Sequence, residues 1–143
     1  MLKEGQIRIP SGCAIAAIID RKGGRINGSE IIKSIALMHD RSNGLGGGFA
    51  AYGIYPDHAE DYAFHVFYDK PEAKVECEDY LFKHFNVDVS EKIPTKKIEE
   101  IANGPDIWRY FAKPNKVRMK EARMDEEEYT VQCVMKVNQD IDG

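Results

Sequence analysis

Several things this sequence lacks narrow what it can do. Basic residues are not in excess: 20 Lys and Arg stand against 24 Asp and Glu, a formal net charge of −4. A chain of that balance has no broad surface for tracking phosphates, which ranks nucleic-acid binding low. Long apolar runs are missing too. The longest, Cys13 to Ile19, falls far short of the ~20 residues that span a bilayer. The first twelve residues, MLKEGQIRIPSG, lack the continuous apolar centre of a secretory signal. Cysteine is scarce. Cys13, Cys77 and Cys133 are odd in number and widely spaced with no CxxC pair, which excludes a disulfide framework and a zinc knuckle. No internal repeat or low-complexity tract appears. These absences lead to an expectation of a cytoplasmic protein with no membrane and no nucleic-acid partner.

What remains is ordinary globular material. The 143 residues are 43% apolar and 31% charged, enough for one domain that buries about two thirds of its unfolded surface. Cys13–Ile19, stopped by Asp20-Arg21-Lys22-Gly23-Gly24, predicts a strand buried on both faces. Asn27 or Ser29 caps a following helix, whose apolar stripe (Ile31, Ile35, Met38) carries it to about His39. Four glycines then fall within residues 44–48, which cannot be helix or ordinary strand interior. Phe49 to Tyr55 resumes as a strand that Pro56 stops.

The second part reads differently. Tyr62–Tyr68 (YAFHVFY) is aromatic and β-prone. Pro71 opens a helix ending near Asn86, and Lys96–Ala102 predicts a second, short helix closed by Asn103-Gly104. Asp106–Ala112 predicts a strand and Val117–Arg123 another. Asp125 caps a final helix reaching about Gln139, with acids at 126–128 in its first turn. The pattern is α+β, with a βααβ unit inserted at about 57–114.

Residues 11–56 resemble the start of a class-II glutamine amidotransferase domain, the N-terminal-nucleophile kind, and in particular that of archaeal-type glutamate synthase. The resemblance rests on two motifs at the family's separation. Cys13-Ala14-Ile15-Ala16-Ala17 is similar to the family's Cys-Gly-Ile-x-Gly-like run. Arg41-Ser42-Asn43-Gly44-Leu45-Gly46-Gly47-Gly48 is similar to its Arg-Gly-x-Asp-Gly-x-Gly-like loop, and Phe49-Ala50-Ala51-Tyr52-Gly53 follows as the next strand.

The resemblance implies an αββα-layered N-terminal-nucleophile hydrolase fold, incomplete in these residues. It implies residues 1–12 as a leader and 13–143 as the N-terminal part of the domain. Cys13 becomes the nucleophile once the leader is removed. Arg41, Asn43, Gly44, Gly46, Gly47 and Gly48 form the loop beside it, with Arg41 fixing the nucleophile's terminus and the glycines allowing close backbone approach. L-glutamine is the implied substrate, and the rest of the domain or other glutamate synthase subunits are the implied partners. The implied flavin and iron–sulfur cluster belong to those synthase domains, and no cofactor belongs to this chain.

The chemistry explains why the cysteine must come first. An amide needs a strong nucleophile and a base to take its proton. A free α-amino group, with a reference pKa of ~7.7–8, titrates near working pH. A cysteine nitrogen inside the chain is an amide and cannot serve. None of the three Asn-Gly pairs (27–28, 43–44, 103–104) sits where an oxyanion donor is needed. Two rival readings therefore stand beside the enzyme. One is a non-catalytic assembly or regulatory module with its leader uncleaved. The other is a nucleotide-binding loop at 43–48.

Overall fold

The computed structural model describes residues 13–39, 47–96, 99 and 104–141. The protein is mixed α+β, and its chain divides into two compact units, Met1–Tyr52 and Gly53–Gly143.

In the first unit, helix α1 (Gly28–Ala36) begins where expected. The Asn27 side chain accepts a hydrogen bond from the Ser29 N–H at 2.9 Å, and Glu30 occupies the first turn. The segment ahead of it reverses direction at Asp20. The Asp20 carboxylate accepts from the Lys22 N–H, its carbonyl accepts from the Gly23 N–H, and Gly23 sits at φ 73°, which favours glycine.

Neither strand predicted ahead of residue 56 forms. Cys13–Ile19 and Phe49–Tyr55 adopt no ladder pairing. Ile15 and Ile19 are 88% and 83% exposed, and Tyr52 is fully exposed. β-Prone composition fits a pleated, half-buried surface, but a strand also needs a neighbour to pair with and a layer to cover it. Among the described residues neither segment has a pairing neighbour, and of the second only Tyr55 is laid against the sheet.

The second unit is built on a three-stranded antiparallel sheet. Strands β1 (Tyr62–Tyr68), β2 (Phe85–Lys92) and β3 (Asp106–Pro114) stand in the order β1-β3-β2. The central strand is thus the last in sequence. The chain leaves β1, crosses through helix α2 (Pro71–His84) and returns in β2, so the crossover straddles β3 as a split βαβ unit. Helix α3 (Lys116–Ala122) and helix α4 (Glu126–Asp140) follow. The compact unit therefore runs past residue 114, because α4 packs on both α2 and β3.

Strand β2 has no counterpart in the sequence reading, which carried the preceding helix to Asn86. The helix instead ends at His84. Phe85 turns extended (φ −131°, ψ 151°) while its N–H still bonds the Leu81 carbonyl. The helix expected over Lys96–Ala102 falls mostly on residues outside the described set. Val117–Arg123, expected as a strand, is α3. The Asn115 side chain accepts from the N–H groups of Val117 and Arg118, and the residues that follow are chiefly straight-chain helix formers. Arg123 closes α3 in the left-handed region at φ 58°. The last helix starts on its predicted cap, Asp125, which accepts from the Glu128 N–H at 2.9 Å.

The core lies between one face of the sheet and helices α2 and α4. Tyr68, Phe85, Tyr110 and Ala112 meet Ala73, Cys77, Leu81, Tyr129 and Cys133 there. Several polar groups in and beside this core are linked, although the buried Trp108 Nε1 has no hydrogen-bond partner among the described residues. The Tyr68 and Tyr110 hydroxyls lie 3.0 Å apart, Tyr110 donates to Glu78 at 3.0 Å, and Lys74 donates to the other Glu78 oxygen at 2.7 Å. The Lys74 ammonium also stands 3.9 Å from the Trp108 ring centre. Burial holds both tyrosine hydroxyls well above their ordinary pKa, so they stay neutral donors.

His84 links the helices at the other end. Its Nδ1 lies 2.7 Å from the Tyr129 hydroxyl, whose pKa burial pushes up to about 12. Tyr129 therefore stays neutral, and which of the two groups donates is set by the imidazole tautomer. Desolvation, followed by Lys83, Arg118 and Lys136, holds the His84 pKa below its ordinary 6.5. The unfolded chain thus binds a proton here that the folded chain resists. This contribution is complete above about pH 6.5 and is lost as pH falls below it. The urea midpoint should accordingly drop between about pH 7.5 and about pH 5.5, and drop less in His84→Gln. An equal loss in the variant would assign the pH dependence elsewhere.

Candidate functional site

Of the residues singled out by sequence, Cys13, Gly47 and Gly48 are described, while Arg41, Asn43, Gly44 and Gly46 lie outside the described residues. Cys13 is a free, exposed thiol at the start of the apolar segment, in the unit that carries α1. A shallow depression in this unit is lined by Ile18, Ile19, Ile26, Asp20 and Glu30 among others, and Cys13 does not line it. Gly47 and Gly48 have open space where a side chain would stand, with nothing within 4 Å.

The other two thiols are shut in. Cys77 on α2 and Cys133 on α4 are 1% and 4% exposed. Burial foremost, with Glu78 and Glu76 adding to it, pushes the Cys77 thiol pKa up, and a hydrogen bond from Tyr68 only partly offsets this. Desolvation is thus a larger cause of its inertness than the acidic residues beside it in sequence. Of the three thiols, only Cys13 is open to a reagent.

A second constellation escaped the sequence reading. It covers the sheet face turned away from the helices. His65 on β1, Arg109 on β3 and Glu91 on β2 stand abreast across the three strands. Arg109 donates from Nε to Glu91 at 2.9 Å and from one terminal nitrogen to the Tyr55 hydroxyl at 3.1 Å, and its other terminal nitrogen also meets Glu91. The Tyr55 hydroxyl reaches His65 Nε2 at 2.7 Å. Beside them Phe111 is buried under two rings. His58 stacks on it with centroids 3.7 Å apart, and Tyr55 meets it edge-on at 4.9 Å. His58 Nδ1 is 2.8 Å from the Asp61 carboxylate, which Lys113 also approaches. The hydrogen bond from His58, with help from Lys113, holds the Asp61 pKa below the usual carboxylate range.

Every charged group in this cluster is engaged by another, so its chemistry is fastening. It lays residues 55–61 across the sheet and seals Phe111. Within β3 the signal was present as alternation, since Arg109 and Phe111 share one face, but Glu91 lies beyond a register break in β2. The partners of His65 and Arg109, however, lie 10 to 54 residues away in sequence.

Among the described residues, no group of three His, Cys, Asp or Glu side chains could hold a metal ion. No helix among them is long and apolar enough to cross a membrane.

No family model and no solved structure matches the sequence. The chain is 40% identical over 133 residues to an uncharacterised protein of Archaeoglobus fulgidus. That similarity takes in 92% of this chain and 35% of the relative, so the chain spans about a third of the length of the curated protein it matches.

Proposed function

We propose that this chain supplies the nucleophile-bearing part of a glutamine amidotransferase of the N-terminal-nucleophile kind, in a glutamate-synthase-like enzyme. The observation that carries the reading is the segregation of the thiols. Cys13 stands exposed ahead of the Asn27-capped helix and the glycine-rich segment, while Cys77 and Cys133 are enclosed in the core of the other unit.

In this reading removal of residues 1–12 turns the Cys13 nitrogen from an amide into an amine. The amine accepts the thiol proton as sulfur attacks the side-chain amide carbon of L-glutamine, and passes it to the departing ammonia. The γ-glutamyl thioester left on Cys13 is then hydrolysed to glutamate and the free thiol. The αββα layering belongs to the same proposal. Ile15, Ile19, Phe49 and Tyr52 are exposed, and in this reading the remainder of the amidotransferase domain, or another synthase subunit, covers them.

That exposure also favours a second reading, an assembly module in which the leader stays and no chemistry occurs. Amino-terminal sequencing of protein from its native source, followed by treatment with a glutamine-mimicking diazoketone, separates the two. The enzyme begins at Cys13 and is labelled there alone, with L-glutamine protecting it. A chain that begins at Met1 or Leu2 and labels no faster than a free thiol is the assembly module.

A further inference from the structure

The two outer strands of the sheet differ as edges. Strand β2 has the features that keep a free edge unpaired. It carries Asp88, Glu91 and Lys92, and its register with β3 breaks between Val87 and Val89. Strand β1 has none of them. Across Tyr62–Tyr68 there is no Lys, Arg, Asp, Glu or Pro, and the seven pairs with β3 run from Tyr62↔Ala112 to Tyr68↔Asp106 without a break. A flat, aromatic, uncharged edge of this kind is a template for another strand.

Its sequence also suggests which strand. YAFHVFY has the same pattern of residue types from either end: Tyr, two apolar residues, His, two apolar residues, Tyr. An antiparallel pairing of β1 with itself, centred on His65, sets Tyr62 opposite Tyr68, Phe64 opposite Val66 and Ala63 opposite Phe67. The alternation of faces is preserved, so the side chains packed under the helices stay on the helix side in both copies. On the open face Phe67, 59% exposed, meets the small, exposed Ala63 of the second copy, and the reciprocal contact repeats it.

We propose that β1 is a self-pairing edge, through which two copies of this chain join their sheets in the order β2-β3-β1-β1-β3-β2 about a two-fold axis. Such an interface is isologous, so every contact is made twice. Seven residues of edge contribute less area than a permanent dimer needs, so the association is reversible and concentration-dependent.

The test is sedimentation of the whole chain from about 1 to about 500 µM. The expected result is a monomer–dimer equilibrium. Two double variants then fix the register, with circular dichroism checking that each folds. Ala63→Lys/Phe67→Lys sets like charges opposite each other twice and should weaken the dimer at least about tenfold. Ala63→Glu/Phe67→Lys sets opposite charges in the same places and should restore it to within about threefold. A chain that stays monomeric throughout overturns the proposal, whether the edge is empty or filled by a strand of its own polypeptide. So does a dimer indifferent to the Lys/Lys variant, or one weakened equally by both variants.

Discussion

Phe85→Ala is expected to destabilise the Gly53–Gly143 unit by about 3–5 kcal/mol. Phe85 is 2% exposed and stands where α2 hands over to β2. Its ring meets Phe64 of β1 edge-on at 5.0 Å and lies 6.2 Å from Tyr129 of α4, so it joins one outer strand, the crossover and the last helix. Removing it forfeits the transfer energy of a large aromatic side chain. It also leaves a cavity that three separate elements must collapse to fill. Native domains hold only about 5–15 kcal/mol in reserve, so the loss is a large share of the total. Trp108 is the single tryptophan of the chain and packs against this same core. Its fluorescence during urea unfolding therefore reports the unit directly. A midpoint unchanged from the parent chain would show that the core does not depend on this side chain.

Under the proposed amidotransferase reading, Cys13→Ala in a chain that begins at residue 13, with the remaining domain supplied, is expected to lower glutamate release from glutamine by on the order of 10⁴-fold or more. Without the sulfur no thioester forms, and only binding and polarisation of the amide remain. Keeping residues 1–12 in front of an intact Cys13 should be nearly as damaging. The nucleophile is then present but its base has become an amide nitrogen, which holds no basic lone pair. The measurement is glutamate produced per enzyme for the three chains side by side. Full activity with the twelve residues attached would defeat the amine-base mechanism even if Cys13 proved essential.

Elements with a local chemical reason were legible in the sequence. The caps Asn27 and Asp125 stand where they were expected, and β1 spans the residues its aromatic, β-branched composition marked out. Elements decided by distant partners were not. Cys13–Ile19 and Phe49–Tyr55 have the composition of strands, yet composition cannot supply the neighbour a ladder requires. Val117–Arg123 shows a short alternation, and the Asn115 side chain overrides it by tying down two N–H groups at the start of α3. Of the candidate site, the capped helix after Cys13 was readable, but the exposure of the thiol was not, since Cys13–Ile19 reads as a buried strand. The fastening cluster was not, because Arg109 gathers Tyr55 and Glu91 from 54 and 18 residues away.

Strand β2 was hidden for a subtler reason, the register break at Val87/Val89. Phe85 and Val87 are paired with Pro114 and Ala112 on the helix side, while Val89 and Glu91 pair with Phe111 and Arg109 on the open side. Odd-numbered residues of one short strand thus serve opposite surfaces, with Asp88 as the supernumerary residue between them. Straightening that pairing would carry a carboxylate into the oily interior and strand a guanidinium without its counterion. Excising Asp88 would do neither, since the two halves would then fuse into one regular alternation. The irregularity works like a comma in a sentence, and this strand can be shortened there without any side chain changing sides.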